Sequence, residues 1–301
     1  MLDIYFLQQL VIGLSIGMTY ALVAIGFTLV YRVLTAVNFA HGEICTLGAF
    51  AALIAIVSLR PPLWAVVLCV VAAGAVSGFA LERIAFRPFR RFTDEASLKS
   101  RAVREATLLS SLAIGIVIRE IIDRFYHGQY QTIPEHYMLN RPLRLGGLVL
   151  SSGEATIIVA SVVLLVALQY LLFRTRTGIA IRAVANNLIG AQLSGININR
   201  IIVATFVVGS ILGAVAGLLV ALAYGSVYSY MGLNAVIKAF VAMVMGGLTN
   251  IPGAVAAGLL LGVTESIAGE FVASAWTDMV AYVFLLVTLV FFPKGIFAWK
   301  R

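Results

Sequence analysis

Lys238 and Glu265 are the charges inside the last apolar hairpin of the chain. An isolated charge within a bilayer costs at least about 2.5 kcal/mol. If the chain reverses near Asn250 to Pro252, the two lie at matching distances from the turn and therefore at similar depth. The chemistry open to them is an ion pair, direct or through water, near the outer side of a helical bundle. The alternative is that each side chain snorkels to its own interface.

A second polar group gathers at Asn38, His41, Gly42, Glu43 and Thr46, at the mouth of an apolar run. Irregular backbone inside a membrane is tolerated only within protein or beside a water-filled cavity. This segment is the strongest candidate for a substrate pathway, and its other reading is a cap that anchors the 42–59 helix among headgroups. A His two residues before a Glu also occurs at zinc sites, but the remaining histidines are His127 and His136, and no Cys or acidic set completes a ligand group. No metal is expected. No Ser or acid pair stands beside the histidines in a catalytic arrangement, so no catalytic residues are assigned.

The third segment is the loop from Thr177 to Arg200, which is far less hydrophilic than a connection between spans needs to be. Ile181, Val184, Ala185, Leu188 and Gln192 fall on neighbouring turns, and Ala183, Gly190 and Ala191 supply a small-residue face. That pattern predicts a short amphipathic helix in search of a partner, either a protein or the lipid interface.

These residues must be carried by helices that cross a bilayer. Of the 301 residues, 61% are apolar and 11% charged, and the charges are segregated into loops. Leu7 to Val30 and Trp64 to Leu81 carry no Asp, Glu, Lys or Arg, and each reaches the roughly 18 residues that mark a spanning helix. A transmembrane barrel would instead alternate apolar and polar residues in short segments. Helices are expected near 7–31, 42–59, 64–84, 106–122, 152–173, 201–223, 234–247, 253–269 and 277–292. The fold class is thus an all-α, polytopic transmembrane bundle of about eight or nine membrane helices, some short or broken. The 234–247 piece, at about 21 Å, is too short for a hydrocarbon core of about 30 Å unless it is tilted or re-entrant. Polar, glycine-bearing breaks around 38–48 and 246–258 echo one another and suggest an inverted repeat.

The formal net charge of +8 records topology and not nucleic-acid binding. Arg83, Arg87, Arg90, Arg91, Lys99, Arg101 and Arg104 fill one loop, and Arg174, Arg176, Arg182 and Arg200 flank another, so both are expected in the cytoplasm. The 123–153 segment then faces outside, the N-terminus is periplasmic, and Lys294, Lys300 and Arg301 return to the cytoplasm. No loop is long enough for a soluble domain, so 1–301 is read as a single transmembrane domain. Cys45 and Cys69 read as small buried side chains. Gly13 with Gly17, Gly74 with Gly78, Gly258 with Gly262, and the Gly209, Gly213, Gly217 series mark faces where backbones approach closely.

The stretch Asn38-Phe-Ala-His-Gly-Glu-Ile-Cys-Thr-Leu-Gly-Ala-Phe50, following Gly26-Phe-Thr-Leu-Val-Tyr31, resembles the branched-chain amino acid permease family of ABC importers, LivH type. Gly246-Gly-Leu-Thr-Asn-Ile-Pro-Gly-Ala254 and Phe292-Pro-Lys-Gly-Ile-Phe297 resemble it too, so the likeness runs from the first helix to the last. The 177–199 loop resembles the cytoplasmic coupling loop in which Glu-Ala-Ala, three residues and Gly dock into an ATPase. Ile189, Gly190, Ala191 and Gly195 occupy the matching positions, with Ile189 standing where the motif has Glu and Gly190 where it has Ala. The resemblance implies ATPase coupling through Arg182, Ala183, Asn186, Gly190, Ala191 and Gly195. It also implies a second permease subunit (LivM type), two cytoplasmic ATPase subunits, a periplasmic substrate-binding protein and an inner-membrane location. ATP would sit on the partner subunits, because this chain has no phosphate loop of its own. The substrate implied is a branched-chain or other small aliphatic amino acid, with urea, short amides and small carboxylates as alternatives. A stand-alone secondary transporter or channel is the rival class, and it would be expected to carry more membrane-embedded carboxylates or histidines for ion coupling.

Overall fold

The computed structural model describes residues 2–89, 100–145, 148–272 and 276–297. Arg90, Arg91, Lys99, Lys300 and Arg301, used above for orientation, lie outside the described residues.

The apolar runs fold as helices that begin and end at recognisable signals. Helix α1 (Leu2–Leu34) is followed by α2 (His41–Leu59), which stops at Arg60 in the left-handed conformation, φ 46°. Pro61 and Pro62 then force extended backbone before α3 (Leu63–Leu81), whose last turn widens into a π-helical segment at Glu82–Phe86. Ser100 caps α4 (Arg101–Tyr126) by accepting from Val103 N–H. A capping box, Ser151 with Glu154, opens α5 (Ser152–Arg174). Two short helices follow, α6 (Arg176–Asn186) and α7 (Leu188–Leu193), before α8 (Ile198–Tyr224), α9 (Met231–Gly246), α10 (Ile251–Phe271) and α11 (Thr277–Phe291).

Among the described residues, six helical stretches are long and apolar enough to cross a membrane: Ile4–Leu34, His41–Leu59, Leu63–Phe89, Ser152–Arg174, Ile198–Tyr224 and Ile251–Phe271. Helix α4 has the length but carries Arg119, Glu120 and Asp123, while α9 and α11 are apolar but shorter. Sequence limits were conservative: α1 extends beyond 7–31 at both ends, and 106–122 lengthens to Arg101–Tyr126.

The glycine stripes read from the sequence turn out to be seams within this chain. Gly13 and Gly17 of α1 lie against the backbone of Gly258 and Gly262 in α10, an antiparallel contact at which the Ser266 side chain also packs. On α8, Gly209 faces Gly26 of α1, Gly213 faces His41, and Gly217 meets the carbonyl of Cys45. Gly74 and Gly78 of α3 rest on Ser210 and Ala214 of the same helix. Consequently α1, α2 and α8 form the buried centre, and α3 and α5 turn most of their surface outward. Cys45 is buried as expected; Cys69, on the outward face of α3, is exposed.

The 123–153 segment is more ordered than a plain loop. Strands β2 (Pro142–Leu145) and β3 (Leu148–Ser151) form a hairpin, and β1 (Gln131–Thr132) pairs with β4 (Ser226–Val227) after α8. Tyr137 donates to the carbonyl of Pro61 at 2.7 Å, and Ser229 donates to Asp123 Oδ1 at 2.7 Å. The cap therefore ties the α2–α3 turn, α4 and the end of α8 together. Its strands are a few residues long, so the all-α description of the membrane bundle stands.

Candidate functional site

Helices α9 and α10 are antiparallel, with Gly246 packed against Gly253 and Ala254 beside the turn. That register carries Lys238 and Glu265 to the same level, where the ammonium contacts Glu265 Oε1 directly. Lys238 Nζ also lies 3.0 Å from Asp278 Oδ1, at the start of α11, and 5.4 Å from the centre of the Tyr20 ring. Asp278, Tyr20, Tyr224 and Tyr228 were not singled out in the sequence. Asp278 carried a usable signal, a lone acid opening an apolar run; the tyrosines carried none. These residues line a cavity of about 520 Å³, bordered also by Ile16, Cys45, Val220, Met231, Asn234 and Ala235.

The Asn38–Thr46 group occupies a different environment. The structure does not place it beside open space: Asn38 is 1% exposed, and His41, Glu43 and Thr46 are equally buried. Backbone approach explains the sealing, because Gly42 packs on Gly232 of α9 and His41 lies between Gly26 and Gly213, edge-on to Phe27 at 5.6 Å. Gly232 N–H donates to Thr46 Oγ1 at 3.1 Å, and Thr46 donates to Glu43 Oε2 at 3.3 Å. Arg119 of α4 closes the series 3.5 Å from Glu43 Oε1, with its guanidinium 5.2 Å from the centre of the Tyr230 ring. Arg119 was a second missed partner, although a charge within an apolar run invites the question of what pairs it. Both polar atoms of the Asn38 amide and His41 Nε2 are buried without a hydrogen bond.

The loop between α5 and α8 forms two helices where one was expected. Asn187, with extended backbone, breaks the run and caps α7 by accepting from Gly190 N–H at 2.8 Å. The break rotates the second piece, so the face proposed from sequence is split. Ile181, Val184 and Leu188 pack inward, and Ala191, expected as a docking contact, is also buried at 4% exposure. Ile189 and Leu193 point outward instead, Leu193 being 84% exposed. Arg182 donates to the carbonyl of Leu172 at 2.9 Å and stacks on Phe173, while Asn186 Oδ1 accepts from Arg32 at 3.3 Å. Ala183 is half-buried, and Gly195 is open to its surroundings with φ +77°.

A bundle of long apolar helices with charges held inside it is the frame of a polytopic membrane protein. The profile of the family described as branched-chain amino acid transport system, permease component, matches residues 9–289. The chain is 37% identical to the high-affinity branched-chain amino acid transport system permease protein BraD of Pseudomonas aeruginosa, over 97% of this chain and 95% of that protein. It is 33% identical to the LivH permease of Escherichia coli over 97% and 96%, and 28% identical to a probable LivH of Methanocaldococcus jannaschii over 93% and 89%. This chain belongs to the branched-chain amino acid transport system permease family. It is a multi-pass inner-membrane permease component and not an enzyme.

Proposed function

We propose that this chain works as one of two permease subunits in an ATP-driven importer for a branched-chain or other small aliphatic amino acid. Its partners are a second permease of the LivM type, two cytoplasmic ATPases that hold the ATP, and a periplasmic substrate-binding protein. The observation that carries this reading is the outward apolar pair Ile189 and Leu193 on a capped helix between two spans. Exposed apolar surface on a water-facing loop marks a binding face, and family membership supplies its partner. Ile189, Gly190, Leu193 and Gly195 make the docking contact, whereas Arg182, Ala183, Asn186 and Ala191 brace the loop from behind. The whole of 1–301 serves as a single membrane domain crossed nine times, with the N-terminus periplasmic and the C-terminus and coupling loop cytoplasmic.

The pathway leads from the Lys238 cavity, whose wall includes Cys45, along α2 toward Asn38, His41, Gly42, Glu43 and Thr46. Unpartnered buried atoms on Asn38 and His41 support this, since such groups carry a desolvation cost unless another state uses them. Transport needs no covalent chemistry, only states of different affinity whose balance the ATPases shift.

Purification in mild detergent tests the assembly, and ATP-dependent leucine uptake by the reconstituted complex tests the activity. Two ATPases and a second permease are expected to co-purify. Replacing Ile189 and Leu193 together by Asp is expected to leave the chain in the membrane and lower uptake about tenfold or more, as losing central interface contacts does. A homo-oligomer that moves solute without ATPases would establish the secondary-transporter class instead.

A further inference from the structure

Lys238 holds more partners than a structural ion pair needs. Its ammonium lies between Glu265, whose carboxylate is sealed in the bundle, and Asp278, whose side chain is 75% exposed. Glu265 keeps its second oxygen, Oε2, buried and without a close hydrogen bond, with the Tyr20 hydroxyl facing the same carboxylate. A buried carboxylate oxygen left unpaired is costly, and here the residue that carries it lines a cavity of about 520 Å³. That volume falls within the roughly 300–1,000 Å³ usual for small-molecule sites. The cavity has two chemically distinct walls. Lys238, Glu265, Glu270 and Asp278 form the charged one, and Ile16, Val220, Met231 and Ala235 contribute apolar surface.

We infer that this cavity is a transient binding subsite for the zwitterion of a free aliphatic α-amino acid, an inference that rests on the importer reading above. The amino acid's carboxylate takes the place of the exposed Asp278 on the Lys238 ammonium. Its own ammonium donates to the unpaired Oε2 of Glu265, and its side chain lies on the apolar wall. Lys238 then exchanges one carboxylate for another, Glu265 gains a donor, and the released Asp278, 75% exposed, is solvated by water. Such a site is weak because the substrate competes with Asp278, and a conducting pathway must release what it binds.

The test uses the complete importer in proteoliposomes with its binding protein and radiolabelled leucine. In the double variant Lys238→Met with Glu265→Gln, both charges go together, which a purely structural pair tolerates. Here leucine uptake per assembled complex is expected to fall about tenfold or more, because the zwitterion loses the charged groups that hold both its ends. Ala235→Leu is the second variant; it narrows the apolar wall without touching a charge. With both substrates saturating the binding protein, it is expected to shift uptake from leucine toward valine. Wild-type uptake in the double variant, or an unchanged leucine-to-valine ratio in Ala235→Leu, overturns the subsite while leaving the importer intact. A wild-type complex that moves no leucine overturns the importer reading, and the subsite with it.

Discussion

The Glu43–Arg119 pair and the Lys238–Glu265 pair both join charges from different helices inside the membrane domain, yet one is sealed and the other borders a cavity. Glu43 is closed in by Gly42 and Thr46 packed on α9 and by Arg119 from α4, and its network runs through three helices. Lys238 touches an exposed acid and an empty volume large enough for a small molecule. The difference teaches that charge in a membrane helix does not by itself locate a site. Access separates the two pairs, and access here is set by where glycines let backbones close up.

The largest expected effect breaks the sealed side of this comparison. Leu at Gly217 would drive a side chain into the Cys45 carbonyl, a backbone contact that cannot yield. Gly217→Leu should give no monodisperse protein on size exclusion in detergent, and normal recovery would show that α2 and α8 have room between them. Next in size, Arg119→Met leaves Glu43 buried and unpaired. It should lower stability by about 3–5 kcal/mol, read as a reduced melting temperature in detergent, with most of the loss recovered when Glu43→Gln is added. If the single variant melts like wild type, Glu43 has water that the sealed description denies it. The smallest effect belongs to the open side: Lys238→Met combined with Glu265→Gln should change stability by no more than about 1 kcal/mol, because both charges are removed beside a cavity. A large drop there would make that pair a fold-holding element like its counterpart.

Much of the architecture was legible in residues. Continuous apolar runs cannot be soluble strands or loops, so they named the spans, and matched distances from the Asn250–Pro252 turn placed Lys238 opposite Glu265. The outer hairpin was also legible, since Gly146-Gly147 between short alternating runs is a turn signal. Charge pattern, which sets the orientation of that segment, carries no strand period. The coupling loop shows the limit of pattern reading: a single helical period was drawn through Asn187, whose side chain competes for backbone donors and ends the helix there. Leu188 still packs with Ile181 and Val184 as expected, but Ala191, expected as a docking contact, faces inward.

By itself the sequence determined that this chain lives in a bilayer, that helices carry it, and which residues bear charge where lipid forbids charge, because solvation in hydrocarbon is decided residue by residue. Tertiary structure alone decided that Arg119 answers Glu43, that Asp278 joins Lys238, and that the Asn38–Thr46 group is closed while the Lys238 group is open. Those outcomes depend on how several helices from distant parts of the chain stack at one level, and no local spacing records that.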